Sequence, residues 1–265
     1  MSAKRIRPER AGRTFMEQTR YKYAVPSDQS KGLPQPPLQV PYAGVPIHLP
    51  APDEVQVQAI DLRAAIEARQ SVRRYAEKPL ALAELSFLLW CTQGIKGTQG
   101  SYATFRPVPS AGARHAFETF LLVNRVEDLE PGVYRFLALE HQLLQVNLAS
   151  DIAEQITQAC WNQRFVLSSA VTFIWVAVPY RMTWRYGQRG YRYMHLDAGH
   201  VCQNLYLAAE AIESGVCAIA AFSDEDMSRL LGLVPASPQS LAGRDDQVGD
   251  PFVIYIAAVG KKLTE

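Results

Sequence analysis

The chain has 265 residues, of which 48% are hydrophobic and 20% charged, the composition of an ordinary globular protein long enough to bury a substantial core. Its 27 Lys and Arg nearly balance 26 Asp and Glu, so the formal charge of +1 gives no global field toward nucleic acid or a membrane surface. The four cysteines (Cys91, Cys160, Cys202, Cys217) lack CxxC spacing and lie among apolar residues, which favours reduced, buried thiols in a cytoplasmic protein over disulfides or zinc.

Residues 1–58 carry little periodic pattern and many prolines, including Pro34, Pro36, Pro37, Pro41, Pro46, Pro50 and Pro52. Such a segment is expected to wrap a surface as an arm rather than to fold alone. Lys4, Arg5, Arg7, Arg10 and Arg13 precede no apolar stretch, so a secretory signal is not expected. A domain is expected over 59–265. Apolar stripes predict helices over 60–69, 82–92, 150–160 and 195–214, and a shorter one over 224–231. Strands are expected at 117–124, 132–138, 142–147, 171–178 and 252–259, the second and third forming a hairpin across Leu139-Glu140-His141. The longest apolar run, 165–179, is interrupted by Ser168, Ser169 and Thr172 and is too short to span a bilayer; it reads as a buried strand with a lead-in. Residues 234–251 read as a loop. Strands and helices mix without strict βαβ alternation, which predicts an α+β fold.

Several constellations could carry chemistry. Arg69-Gln70-Ser71-Val72-Arg73-Arg74-Tyr75 places three guanidiniums and a hydroxyl at a helix-to-loop junction, where alternate residues can converge on one phosphate; a solvated basic helix end is the plainer alternative. In Pro109-Ser110-Ala111-Gly112-Ala113-Arg114-His115 small residues would let the backbone approach a flat ligand, or merely form a tight turn. Gly215 suits the position that ends a helix, and the small residues after it could present main-chain N–H groups. His195 and His200 are five apart and therefore diverge around a helix, which argues against a metal site with Asp197. Trp184-Arg185-Tyr186 and Tyr191-Arg192-Tyr193, with Arg181 and Arg189, could stack on single-stranded nucleic acid or line a pocket for a planar molecule. No GxGxxG, GxxxxGK[ST] or GxSxG pattern occurs.

Taken in order, these segments resemble the nitroreductase family of flavin mononucleotide enzymes, and within it the branch of SagB/McbC-type peptide azoline dehydrogenases. The likeness covers nearly the whole chain. It runs from Phe15-Met16-Glu17-Gln18-Thr19-Arg20 and Pro36-Pro37-Leu38 through the 69–75 motif, Pro109-Ser110-Ala111-Gly112 and Pro131-Gly132-Val133-Tyr134. It continues in Leu196-Asp197-Ala198-Gly199-His200, Gln203-Asn204-Leu205, Leu230-Leu231-Gly232-Leu233 and Ala258-Val259-Gly260-Lys261. The resemblance implies a mainly antiparallel sheet flanked by helices, in an intertwined homodimer with flavin sites at the subunit interface. Arg69, Ser71 and Arg73 would then hold the flavin phosphate, with Lys261 approaching it. Ser110, Ala111 and Gly112 would line the ring system from the partner subunit, and backbone N–H groups of Ala220 and Ala221 would lie near its redox-active edge. NADH or NADPH would serve as co-substrate, and the other substrate would be a small molecule or a peptide.

One departure stands out. The azoline branch carries a Lys-Tyr pair where this chain has Arg185-Tyr186. A lysine can give up its proton in a dry pocket and an arginine cannot, so Tyr186 is the expected acid or base, with Arg185 stabilising its phenolate. A plain nitro or quinone reductase and a flavin-holding subunit of a peptide-modifying complex are the competing expectations.

Overall fold

In the computed structural model, which describes residues 8–233 and 249–263, the elements follow in this order. They are α1 (Ala11–Gln18), β1 (Ile47–His48), α2 (Leu62–Ala68), α3 (Leu82–Gln93), β2 (Gly97–Gln99), β3 (Ala103–Phe105), β4 (Phe117–Val123), β5 (Gly132–Leu137) and β6 (Gln142–Asn147). After these come α4 (Ile152–Ala159), α5 (Phe165–Ser168), β7 (Val171–Ala177), α6 (Pro179–Tyr186), α7 (Gly190–Glu210), β8 (Ser214–Ile219), α8 (Asp224–Leu230) and β9 (Phe252–Lys261).

Strands β4 and β7 are buried along their whole length, as their β-branched and aromatic content requires, and they form the centre of a seven-stranded sheet. Its order is β1-β6-β5-β4-β7-β9-β8, with every neighbouring pair antiparallel. Alternation divides each strand between two cores. Leu121 and Val123 of β4 and Phe173 and Trp175 of β7 pack against α3 and α7. Phe120, Leu122, Ile174 and Val176 face α4, α5 and α8 on the other side. The sheet is therefore sandwiched between helical layers, an α+β architecture.

The expected helices at 60–69, 82–92, 150–160 and 224–231 and all five expected strands are present, including the hairpin that pairs Leu137 with Gln142. Asp61 caps α2 by accepting from Ala64 N at 3.1 Å, and Ser223 caps α8 through Asp226 N at 3.3 Å. The apolar run at 165–179 is the short helix α5 leading into β7.

The expected helix at 195–214 needs correction. Helix α7 starts at Gly190 and ends at Glu210, and Glu213, at φ 53, takes the left-handed turn into β8. Gly215 is thus not a helix-ending residue but lies within β8. Its missing side chain makes room for Val72: a Cβ there would stand 2.6 Å from the Val72 side chain. The arm also holds more order than its prolines suggest, since α1 forms within it and β1 pairs with β6 at the sheet edge. Helix α6, starting at Pro179 in the first-turn position proline tolerates, is likewise hidden in sequence by its Tyr, Thr and Trp residues, which favour strands. Most of the loop expected at 234–251 lies outside the described residues.

The arm lies along the domain because buried arginines reach its carbonyls. Arg181 Nε donates to Pro37 O at 2.9 Å, Arg135 Nη2 to Val40 O at 2.5 Å, and Trp184 Nε1 to Leu33 O at 3.0 Å. Glu118 supplies the counter-charge, pairing with Arg135 at 2.8 Å and Arg181 at 2.5 Å, all three being buried.

Candidate active site

The basic segment 69–75 runs along the outer edge of β8. Val72 N donates to Val216 O at 2.9 Å and Ala76 N to Lys261 O at 2.9 Å. Two side chains pin it. Val72 packs over Gly215, and the buried Tyr75 lies over Gly260, where a Cβ would stand 2.7 Å from its ring. With Tyr75 directed inward, its hydroxyl donates to Val72 O at 2.7 Å.

Arg69, at the end of α2, places its guanidinium 5.4 Å from the ring centre of Tyr206 on α7. Ser71 Oγ lies 3.0 Å from the Tyr206 hydroxyl, which also accepts from Ala218 N at 3.0 Å. Arg73 rests 6.0 Å from the Phe165 ring. Among the described residues neither Arg69 nor Arg73 has a carboxylate partner. Two guanidiniums without carboxylate partners, on a segment that also carries a hydroxyl, match a phosphate monoester in charge and donor type. Tyr206 was not signalled by the sequence, because one aromatic at the edge of an apolar stripe looks like packing. Lys261 is buried, its ammonium held by Glu84 and by Ile212 O at 2.7 Å. Ala220 and Ala221 follow β8 as exposed residues, and Ala221 O is held by Gln163 Nε2 at 3.1 Å.

A second group gathers near the other end of α7. Asp197 is a carboxylate on the buried stripe formed by Met194, Ala198 and Val201, a polar intrusion visible in sequence. It accepts from Ser110 Oγ at 2.6 Å and from Ala111 N at 3.3 Å, which fixes the 110–112 loop. Burial pushes the Asp197 carboxyl up, while the hydrogen bonds from Ser110 and Ala111 hold it back. Gly112 has φ 58, and a Cβ there would fall 2.4 Å from the Tyr186 hydroxyl and 3.0 Å from Arg185 Nε. The structure thus brings Ser110, Ala111, Gly112, Arg185 and Tyr186 together. Tyr186 packs edge-on to Tyr193 at 4.9 Å, and the Tyr193 hydroxyl is 2.8 Å from both Tyr21 Oη in the arm and Arg189 Nε. Burial raises the Tyr193 phenol, but hydrogen bonds from Tyr21 and Arg189 and nearby guanidinium charge outweigh it and leave the phenol below its ordinary value.

The aromatic-basic segment is turned largely inward. Trp184 and Arg181 are buried, and Arg189 and Arg192 hold Thr19 of the arm. His195 and His200 are both exposed, and no group of three or more His, Cys, Asp or Glu that could hold a metal occurs among the described residues. No helix among them is long and apolar enough to cross a membrane.

The frame is thus a seven-stranded antiparallel sheet between helical layers, with a basic segment at one edge and a separate cluster of Arg185, Tyr186 and Tyr193 beside the 110–112 loop. Residues 66–243 match the profile of the nitroreductase family, and the chain belongs to that family. MJ1384, a candidate nitroreductase of Methanocaldococcus jannaschii, is 33% identical over 186 residues, covering 70% of this chain and 88% of its own. The trifolitoxin-processing protein TfxB of Rhizobium leguminosarum bv. trifolii is 30% identical over 141 residues, 50% of this chain and 38% of that one. Among solved structures, a candidate nitroreductase from Anabaena variabilis aligns with TM-score 0.60 and 29% identity, over 76% of this chain and 38% of that one. The Escherichia coli microcin synthetase McbBCD complex aligns with TM-score 0.54 and 17% identity, over 98% of this chain and 95% of that one, a likeness of fold.

Proposed function

We propose that the protein is a flavin mononucleotide-dependent oxidoreductase that acts as a homodimer, cycling between a reduced nicotinamide or organic donor and an acceptor. The observation that carries this reading is the membership of the nitroreductase family together with a basic segment at the β8 edge, in which Arg69 and Arg73 flank Ser71 and have no carboxylate partner among the described residues. The flavin would supply hydride transfer. This chain's residues do the rest: Arg69, Ser71 and Arg73 bind the phosphate, and main-chain N–H groups of Ala220 and Ala221 orient the redox-active edge. The Lys261 ammonium is committed to Glu84, so it contributes charge near the phosphate rather than a free donor. Tyr186 holds or releases a proton at its hydroxyl, beside Arg185.

Tyr206 and Asp197 are nine residues apart on α7, roughly 14 Å along its axis at 1.5 Å per residue, so the basic segment and the 110–112 loop form two separate clusters of one chain. In the proposed dimer a second copy would bring its 110–112 loop to the basic segment of the first. Exposed Leu62, Ile66 and Leu196 on α2 and α7 offer apolar surface for it to cover.

Within the family, the TfxB likeness favours modification of a peptide, whereas Arg185 in place of a lysine favours a small-molecule reductase. Two tests separate the readings. Purified protein should show a flavin absorption spectrum and release flavin mononucleotide on acid treatment, and Arg69→Ala with Arg73→Ala should lower occupancy, each charge-assisted contact being worth roughly 1.5–3 kcal/mol. A colourless protein that cannot be reconstituted overturns the proposal. Turnover by the isolated protein with NADH or NADPH and a nitro or quinone acceptor supports the reductase; turnover only after a partner protein is added supports the subunit of a modifying complex.

A further inference from the structure

The guanidiniums around Tyr186 are unequally committed. Arg181 pairs with Glu118 and donates to Pro37 O, and Arg114 donates to Arg181 O at 3.2 Å and to Gln35 Oε1 at 3.4 Å. Arg189 donates to the Tyr193 hydroxyl and to Thr19 O, both at 2.8 Å. Arg192 donates to Thr19 Oγ1 at 2.5 Å and to Met16 O. Arg185 differs from all four. Among the described residues its guanidinium has no hydrogen-bond acceptor and no carboxylate, only the face of the Tyr186 ring at 5.6 Å.

Arg185 is also half-buried, so it has lost part of its hydration without gaining a counter-ion. The surrounding charge deepens this. Arg114 lies close enough to couple electrostatically to Arg185, and its buried Nη2 has no partner. Glu118 is spent on Arg135 and Arg181, and Asp197 on Ser110 and Ala111. Gly112, which admits no side chain between the loop and Arg185 Nε, leaves the guanidinium edge next to bare backbone. The arm reinforces the contrast, since it occupies Arg189 and Arg192 and leaves Arg185 as the open fork of these five arginines among the described residues.

We propose that Arg185 binds the carboxylate of a small acidic substrate, so that the site formed by Arg185, Tyr186 and the Gly112 loop selects carboxylate-bearing acceptors over neutral ones. The proposal rests on this cluster being where the oxidoreductase receives its acceptor. A planar guanidinium meets a carboxylate through two parallel N–H bonds, which fixes the orientation of the acceptor as well as its charge.

The test is steady-state kinetics of the flavin-loaded protein with a reduced nicotinamide and two acceptors alike in shape, para-nitrobenzoate and para-nitrobenzamide. The wild type should show a KM about ten-fold lower for the acid, the size expected of a charge-assisted contact. Arg185→Gln should abolish that ratio and Arg185→Lys should retain part of it. A general folding defect would weaken both acceptors alike and leave the ratio intact, so a ratio preserved in Arg185→Gln overturns the proposal. Equal KM values in the wild type overturn it too, while leaving the flavin reading in place. Protein that holds no flavin and reduces neither compound overturns the functional reading, and this proposal with it.

Discussion

Tyr206 joins Ser71 to the β8 edge beside the proposed phosphate site, and Tyr206→Phe isolates what its hydroxyl does. The substitution keeps the ring that faces Arg69 at 5.4 Å and removes an oxygen that serves Ser71 Oγ and Ala218 N, each at 3.0 Å. The Ala218 N–H points away from β9 at a half-buried position, and leaving such a donor unsatisfied costs about 1–3 kcal/mol. For a chain of this size that corresponds to a Tm lower by roughly 2–5 °C. Ser71 loses the partner that orients its hydroxyl, which should weaken flavin mononucleotide binding about five-fold, the equivalent of roughly 1 kcal/mol. Fluorescence titration of apoprotein with flavin mononucleotide reads the affinity, and a thermal melt without flavin reads the stability. Tyr206→Leu should weaken binding further, because it also removes the surface under Arg69, a contact worth about 0.5–1 kcal/mol at such a site. Wild-type affinity and Tm in Tyr206→Phe would refute the assignment of Tyr206 as the residue that positions Ser71 and the β8 edge.

Gly112→Ala places a methyl group 2.4 Å from the Tyr186 hydroxyl at a φ of 58. The left-handed backbone costs an alanine about 1–2 kcal/mol, while the phenol must swing aside, so turnover should fall by more than thermal stability does. A melt and a kinetic assay on the same preparation check this. His115 should make the protein acid-labile. Burial first, then the charges of Arg106 and Arg114, push its imidazole from 6.5 down to about 3, against an opposing hydrogen bond with Thr104. The folded state therefore keeps His115 neutral while the unfolded chain takes up a proton below pH 6.5. Stability from this group is complete above 6.5 and is lost as pH falls toward 3, at about 1.4 kcal/mol per pH unit, or roughly 2 kcal/mol by about pH 5. Urea denaturation of the wild type and of His115→Gln across that range should show the slope flattening in the variant.

Periodicity and local chemistry determined much of this protein. The apolar runs at 117–123 and 171–177 and the hairpin at 132–147 are properties of neighbouring residues, so they are legible without tertiary contacts. The order of short motifs was enough to point to the family and to most of the candidate site. Folding decided what each motif touches. The helix expected to run to residue 214 stops at Glu210 because β8 is drawn into the sheet beside β9, and Gly215 serves the fit of Val72 instead of a helix end. Which arginines are spent and which remain open is likewise a tertiary matter. Arg181, Arg189, Arg192 and Arg185 lie within twelve consecutive positions (181–192) and look alike in sequence, yet their partners separate them: Glu118, Pro37, Thr19, Met16 and Tyr193 take the first three and leave Arg185 without an acceptor among the described residues. A guanidinium's chemistry is fixed by its residue type, but its availability depends on acceptors that the chain brings to it only by folding.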